Sequence, residues 1–175
     1  MEYTVADIEA MPEEQRAELI DGYLYMQAAP SRMHQDVLMF LSLEIGNYIR
    51  ERHGKCKIYP APFAVYLNKD NKNYLEPDIS VICDRNKLDE KGCHGAPDWI
   101  IEIVSPSTKR MDYLIKLLKY QNSGVKEYWV VDPQEQRIWV YKFDGEGDVE
   151  HYTFQDKVKA GIYEELEIDF SKIEL

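Results

Sequence analysis

Apolar residues recur at three- and four-residue intervals in two parts of the chain, and each stretch predicts a helix with one buried face. The first helix is predicted from His34 to Arg52, after a candidate capping residue at Ser31, with the apolar stripe Val37, Leu38, Leu41, Ile45, Tyr48 and Ile49. The second begins at Ser107 or Thr108 and ends at Gly124, with the predicted inner stripe Tyr113, Leu114, Leu117, Leu118 and Gln121. A shorter helical segment is predicted over Thr4–Glu9, capped by Thr4.

Short apolar stretches predict the strands. Ile79–Cys83 and Trp99–Val104 are nearly continuous apolar segments, which is typical of strands buried on both faces. Residues 17–26 predict a hairpin around Asp21-Gly22, because glycine tolerates the positive φ of such turns. The other predicted strands are Glu127–Val131, its partner Arg137–Phe143, Ile58–Leu67 with two prolines, His151–Phe154 and Ile162–Ile168, whereas residues 84–96 are predicted to be a loop.

The order of these elements predicts an α/β (α+β) fold. Trp99–Val104, the second helix and Glu127–Val131 form a plausible βαβ crossover between parallel strands. We therefore expect a mixed central sheet flanked by helices, with an N-terminal β-hairpin and C-terminal β additions. No internal repeat or linker divides the 175 residues, so residues 1–175 are predicted to form a single domain.

Composition favours a cytoplasmic protein. No stretch approaches the ~20 apolar residues that span a bilayer, and the N-terminus lacks the basic start and apolar segment of a signal peptide. The cysteines are three in number and widely spaced, so we expect free thiols rather than a disulfide framework. Cys93-His94 lies in a glycine-flanked segment without a CxxC pair, and is expected to be an unliganded loop rather than a zinc site.

The net charge of −11 argues against nucleic-acid binding by the surface as a whole. The charge is uneven, however, since Asp144–Leu175 contains ten acidic and three basic residues. Between Ser105 and Lys126 the balance is reversed, with five basic residues and one acid. A local nucleic-acid site therefore stays possible, because binding responds to the local field and to bound cations.

Two acids occupy positions where a carboxylate is costly. Glu102 lies within the apolar segment Trp99–Val104, and Asp78 enters the strand Ile79–Cys83. A buried carboxylate requires a charged partner or a metal ion. If the two strands are neighbours, the two acids lie side by side and repel each other until a cation binds, which predicts a site for Mg²⁺ or Mn²⁺.

Each of these residues also has a purely structural interpretation. Asp78 follows a proline and could cap a turn, and Glu102 could form a buried ion pair with a lysine. Lys116 could form a surface salt bridge with Asp112 at i,i+4 spacing, or reach over the strand ends to the attacking water or the phosphate. Glu18, before the hairpin turn, and His34, at a helix start, are weaker candidates for the same site.

A set of short motifs occurs in a characteristic order along the chain. It comprises Glu18-Leu-Ile-Asp-Gly, Pro30-Ser31 with His34, Glu76-Pro-Asp78, Ala96-Pro-Asp98, Glu102-Ile-Val-Ser-Pro-Ser-Thr108, Asp112 with Lys116 and Tyr120, and Gly124-Val-Lys-Glu-Tyr-Trp-Val-Val-Asp-Pro133. From about Glu18 to about Tyr141 the chain resembles the Uma-type endonucleases, a branch of the PD-(D/E)XK restriction-endonuclease-like superfamily.

The resemblance implies a restriction-endonuclease-like sheet and a Mg²⁺-dependent phosphodiesterase centre. Asp78 matches the aspartate of the PD motif, Glu102 matches its second acid, and the backbone carbonyl of Ile103 would be a further metal ligand. Val104 replaces the usual lysine two residues after the acid, which implies that Lys116 on the following helix takes its role. Glu18 resembles an additional N-terminal acid that binds or orients the metal.

The resulting hypothesis is an endonuclease that hydrolyses DNA through a carboxylate-bound Mg²⁺ (or Mn²⁺) and an activated water. We expect it to act as a homodimer and without membrane association. Asp78, Glu102, Lys116 and Glu18 are its predicted catalytic residues. One alternative is a catalytically inactive nucleic-acid-binding or scaffold protein that retains the fold, which the acidic surface favours. Another is a hydrolase of RNA or of a different phosphodiester.

Overall fold

A computed structural model describes residues 2–145 and 147–175 of the chain. Its helices are α1 (Val5–Glu9), α2 (Arg32–Glu51) and α3 (Leu117–Ser123), with a π-helical segment, Met111–Lys116, directly before α3. The two 3₁₀ turns described are Arg85–Lys87 and Phe170–Lys172. The strands are β1 (Ala17–Ile20), β2 (Tyr23–Met26), β3 (Lys57–Pro60), β4 (Val65–Tyr66), β5 (Tyr74–Leu75), β6 (Ile79–Ile82), β7 (Leu88–Asp89), β8 (Gly92–His94), β9 (Trp99–Ile103), β10 (Glu127–Asp132), β11 (Arg137–Lys142), β12 (Val149–Thr153), β13 (Lys157–Lys159) and β14 (Glu167–Asp169).

The central sheet has the strand order β12-β11-β10-β9-β6-β3. Strands β9 and β10 are parallel and are connected through the π-helical segment and α3, so the predicted crossover is confirmed. The other neighbours in this sheet are antiparallel, including the predicted pair β10 and β11. The result is the predicted mixed sheet with helices against it.

Helix α2 packs its apolar stripe against one face of the central sheet. Val37, Leu41, Ile45 and Ile49 are buried in a cluster with β6 and β9 residues such as Ile79 and Ile101. The predicted stripe is therefore confirmed, as is its cap, because the Ser31 hydroxyl accepts a hydrogen bond from the His34 backbone N–H at 3.2 Å. Burial of four aliphatic side chains fixes α2, and with it His34, relative to the sheet.

The N-terminal hairpin belongs to a second sheet with the order β2-β1-β5-β4-β8-β7. Asp21 and Gly22 have φ values of 49° and 81°, the left-handed conformation that a tight hairpin turn requires at both positions. The predicted hairpin is confirmed, and its register pairs Glu18 with Tyr25. The short helix α1 is also confirmed, since the backbone N–H and hydroxyl of Thr4 both donate to the Asp7 carboxylate.

Three predicted segments differ from the structure. Residues 58–67 form β3 and β4 in different sheets, because Pro60 and Pro62 have no N–H for a continuous ladder. The predicted loop 84–96 contains β7 and β8, and β8 pairs in parallel with the distant β4, which a local pattern cannot reveal. Within the predicted strand Ile162–Ile168, only Glu167 and Ile168 belong to a strand, β14, which pairs with β13.

The expectation of free thiols is wrong for two of the three cysteines. Cys56 and Cys83 form a disulfide bond, and Cys93 is free and buried. The register of β3 and β6 pairs Lys57 with Ile82, which brings the two cysteines opposite each other just beyond the paired residues. A separation of 27 residues in sequence conceals this cross-strand pairing.

No helix of the structure, over residues 2–145 and 147–175, is long and apolar enough to cross a membrane.

Candidate active site

Asp78 and Glu102 are neighbours at one end of the central sheet. Strands β6 and β9 are antiparallel, and their register pairs Ile79 with Ile101. The Asp78 backbone N–H donates to Glu102 Oε2 at 3.4 Å, and the backbone N–H of Ile103 donates to Asp78 Oδ2 at 2.7 Å. The predicted adjacency of the two acids is therefore confirmed, whereas their catalytic role stays a prediction.

Glu18 enters the same cluster from the second sheet. Its Oε1 accepts a hydrogen bond from the Glu76 backbone N–H at 2.9 Å, and its Oε2 lies 2.8 Å from Lys116 Nζ. Glu76 is itself held by Arg16 at 2.6 Å. The hairpin that the sequence predicts thus delivers a third carboxylate to the acid pair.

Lys116 connects the carboxylates. Its Nζ lies 2.9 Å from Glu102 Oε1 and 3.7 Å from Asp112 Oδ1, in addition to its contact with Glu18. All of these side chains are buried. The alternative of a surface Asp112–Lys116 salt bridge is therefore wrong, Glu102 does form a buried ion pair with a lysine, and the catalytic role of Lys116 stays a prediction.

The helix carrying Lys116 is oriented differently from the prediction. Leu114 and Leu118, assigned to the inner stripe, are 56% and 58% exposed, whereas Asp112, Lys116 and Tyr120 are buried. We call residues 111–123, the π-helical segment plus α3, the site helix. In an α-helix, with 3.6 residues per turn, a residue four positions on lies slightly past one full turn. In the wider π turn, a residue four positions on lies slightly short of one full turn. Together the two segments keep positions 112, 116 and 120 on one face.

Tyr120 also belongs to the site, although the sequence predicts no role for it beyond its place in the family motifs. Its hydroxyl donates to Glu102 Oε1 at 2.8 Å, so that oxygen is held by both Tyr120 and Lys116. The sequence feature that points to Tyr120 is the equal four-residue spacing of Asp112, Lys116 and Tyr120. Positioning of Glu102 by two donors leaves its second oxygen directed toward Asp78.

His34, a weak candidate in sequence, lies in the site. Its Nε2 is 3.0 Å from Asp78 Oδ1. Its Nδ1 is buried and has no hydrogen-bond partner among residues 2–145 and 147–175. The Ser31 cap at the start of α2 fixes the backbone at this position, so Asp78 is held from two sides, by His34 and by the Ile103 N–H.

The cluster contains more negative than positive charge. Glu18, Glu102 and Asp112 lie 2.8, 2.9 and 3.7 Å from the ammonium group of Lys116, and Asp78 adjoins Glu102. Burial raises the pKa of Glu102 well above its usual value, and the neighbouring carboxylates add to this shift while Lys116 opposes it. Burial also raises the pKa of Asp112, to about 6. Burial alone would lower the pKa of Lys116, but the carboxylates around it raise that pKa well above the usual value.

The cluster forms the floor of a cleft of about 780 Å³. The segments 25–31 and 104–108 line its walls, and Met33, Leu38, Met111 and Gln134 also contribute. The side chain of Asp78 is 18% exposed, whereas those of Glu102, Glu18 and Lys116 are almost completely enclosed. Solvent therefore reaches the acid cluster mainly at Asp78.

The donor set fits a hard divalent cation. Carboxylate and carbonyl oxygens are the ligands that Mg²⁺ prefers, and the carboxylates of Asp78 and Glu102 meet here beside the backbone of Ile103, whose N–H donates to Asp78. No group of three or more His, Cys, Asp or Glu residues in the described part of the chain is already arranged as a metal site. A cation at this cluster would thus be held by two carboxylates and supplementary oxygen donors.

The structure thus combines a mixed sheet flanked by helices with an acid pair and a lysine in a cleft at the end of strands β6 and β9. The chain belongs to the Uma2 family, described as "Putative restriction endonuclease", whose family model matches residues 5–171. The family expected from the sequence motifs is thereby confirmed.

Two individual proteins resemble the chain over most of its length. The "Uncharacterized protein slr1290" of Synechocystis sp. is 26% identical over 148 residues, which is 83% of this chain and 76% of the relative. The crystal structure of a "putative nuclease belonging to DUF820" from Anabaena variabilis superimposes with a TM-score of 0.78 at 23% identity, and covers 97% of this chain and 96% of that one. At this level of identity the second similarity establishes the fold.

Proposed function

We propose that the protein is a metal-dependent endonuclease that hydrolyses phosphodiester bonds of DNA. The observation that carries this proposal is the meeting of Asp78, Glu102 and Lys116 on the floor of a cleft, in a member of a restriction-endonuclease family. Paired carboxylates with one adjacent lysine suit a reaction in which negative charge develops on a phosphoryl group.

In this proposal Asp78, Glu102 and the carbonyl of Ile103 hold Mg²⁺ or Mn²⁺. The ion would polarise the phosphodiester and lower the pKa of a bound water. Lys116 stabilises the developing charge or positions the water, and Glu18 holds the Lys116 ammonium group in place. Tyr120 and His34 orient the two acids, since each contacts one oxygen of a carboxylate.

The position of Lys116 supports its assignment in place of the lysine that Val104 replaces. Val104 lies in the apolar cluster beside the site, where it contributes no charge. Lys116 reaches Glu102 from the site helix at 2.9 Å. The ammonium group is thus supplied by the next element of the βαβ unit rather than by the strand itself.

The direct test is plasmid cleavage with and without Mg²⁺ or Mn²⁺. We expect Glu102→Gln and Lys116→Met each to lower the rate by about 10²-fold or more, because each removes a charge at the reacting centre. Glu164→Gln is the matched control, since Glu164 is an exposed acid outside the cleft. Cleavage that survives in Glu102→Gln, or its absence in the wild type with both metals, would contradict the proposal.

Thermal unfolding provides a second measurement that does not depend on the choice of substrate. Millimolar Mg²⁺ or Mn²⁺ should raise the Tm of the wild type, because a ligand that binds only the folded state stabilises it. The rise should be absent in Glu102→Gln and present in Glu164→Gln. The inactive scaffold alternative, which the net charge of −11 favours, predicts no metal response in any of the three proteins.

A further inference from the structure

We propose that the cleft takes unpaired, single-stranded DNA in preference to a continuous duplex. This inference specifies the substrate of the proposed nuclease and therefore rests on the proposed function. Three properties of the cleft support it: the depth of its acids, the pairing of its basic residues, and the chemistry of its walls.

The first property is depth. The side chains of Glu102, Glu18 and Lys116 lie on the cleft floor with exposures of 4–6%, beneath walls that enclose about 780 Å³. A cleft of this volume is of the size that holds a small ligand. Duplex DNA is stiff over about 150 base pairs, so placing one of its phosphates on this floor requires bending or strand separation. An unpaired strand can enter without that deformation.

The second property is the shortage of free positive charge. The Lys and Arg residues that line the cleft are Arg16 and Lys116, and both are paired with carboxylates. Just outside the lining, Arg32 is paired with Asp36 and Lys109 with Asp132 and Glu135, whereas the exposed Arg110 forms no ion pair among residues 2–145 and 147–175. Duplex binding draws much of its affinity from counterions released when free lysines and arginines neutralise phosphates. These paired residues provide little of that contribution.

The third property is a wall of apolar and uncharged polar groups. Tyr25, Met26, Met33 and Met111 provide flat or flexible apolar contacts, and Ser105, Ser107, Thr108, Gln27, Gln35 and Gln134 provide hydrogen-bonding groups. Tyr25 is the cross-strand partner of Glu18, which places an aromatic residue directly beside the acid cluster. Aromatic rings that stack on bases are a general means of binding single strands, and bases are available for stacking only when they are unpaired.

The test is binding of a labelled single strand of about 12 nucleotides and of its duplex, measured by fluorescence anisotropy in a chelating buffer. We expect the single strand to bind at least about tenfold more tightly. Its affinity should fall only weakly with salt, with a log–log slope no steeper than about −2, because few phosphates are neutralised. Equal or tighter duplex binding, undetectable single-strand binding, or a steep slope would each overturn the inference.

Tyr25→Leu tests the wall directly. We expect it to weaken single-strand binding about tenfold, whereas Tyr23→Leu should leave it unchanged, because Tyr23 lies on the same strand, is 60% exposed and is outside the cleft. An unaffected Tyr25→Leu with a native circular dichroism spectrum would argue against the inference. Cleavage rates on the two substrates with Mg²⁺ separate the two proposals: preferential binding without any cleavage supports this inference and counts against the proposed function.

Discussion

At the scale of single residues, the site is an exception to the rule that buried charges are paired one to one. Lys116 compensates Glu18 and Glu102 at 2.8 and 2.9 Å, but Asp112 lies 3.7 Å from the ammonium group. Asp112 is therefore less closely paired with Lys116 than Glu18 and Glu102 are, and burial raises its pKa to about 6. A buried carboxylate with incomplete pairing destabilises the folded state when it is ionised.

This gives a prediction for Asp112→Asn in a chelating buffer. Because the folded-state pKa of Asp112 is raised from 3.8 to about 6, the protonated form favours folding and the stabilisation is lost as the pH rises through that interval. The variant lacks this loss. The difference between the two free energies of unfolding in urea, variant minus wild type, should therefore be more positive at about pH 8 than at about pH 4. A difference that is constant with pH would contradict the prediction. The control Glu164→Gln should show no such change of the difference with pH.

The sequence alone identified Asp78 and Glu102 because an acid in an apolar strand is conspicuous. It did not reveal that Asp112 is buried, because aspartate and lysine at i,i+4 spacing are most common on exposed helix surfaces. Tyr120 was equally inconspicuous, since its hydroxyl contact with Glu102 depends on which way the helix faces. At this scale, the acids of the strands could be predicted from the apolar pattern and Lys116 from the family resemblance, whereas the burial of Asp112 and the contact of Tyr120 could not.

At the scale of elements, the site helix shows why its orientation could not be derived from its apolar pattern. Two acids at the end of β6 and β9 are stabilised by a nearby cation, and the helix provides one because Asp112, Lys116 and Tyr120 face inward. Leu114 and Leu118 then face outward. The π-helical segment Met111–Lys116, of a type often found at functional sites, makes this alignment possible.

The orientation can be checked by comparing two leucines in different helices. Leu118→Gln should change the free energy of unfolding by no more than about 0.5 kcal/mol, because Leu118 is 58% exposed. Leu41→Ala in α2 should cost about 2–5 kcal/mol, because Leu41 is completely buried. Urea unfolding measures both. A loss above about 2 kcal/mol for Leu118→Gln would instead support the inner stripe that periodicity predicted.

At the scale of the whole molecule, much of the central sheet could be anticipated, whereas the β1–β2 hairpin was the part of the second sheet that could be. The sequence predicts the crossover from β9 to β10 because a helical pattern lies between two long apolar strands, and it predicts the hairpin of β10 with β11 because a short turn joins them. In the second sheet, β4 and β8 are two and three residues long and pair across 28 positions. Such short strands have little periodicity, and only the folded chain defines their partners.

The disulfide bond also links distant parts of the chain, since it joins Cys56, after α2, to Cys83, at the end of β6. It links the start of β3 to the end of β6 that lies opposite Asp78. Disulfides are uncommon in the reducing cytosol. The redox state of this pair in the cell therefore bears directly on the predicted cytoplasmic location.

Cys56→Ser with Cys83→Ser should lower the stability of the oxidised protein by about 3–4 kcal/mol, because the bond closes a loop across 27 residues and restricts the unfolded chain. For a chain of this length that corresponds to a Tm about 10 °C lower. Differential scanning calorimetry with and without a reductant measures the effect. The reductant should lower the Tm of the wild type to that of the double variant and leave the variant unchanged, and Cys93→Ser should still respond to it. The cysteines are first shown to be oxidised by a thiol assay. If the Tm of the wild type then does not change with reductant, the bond constrains the chain no more than the β3–β6 pairing already does.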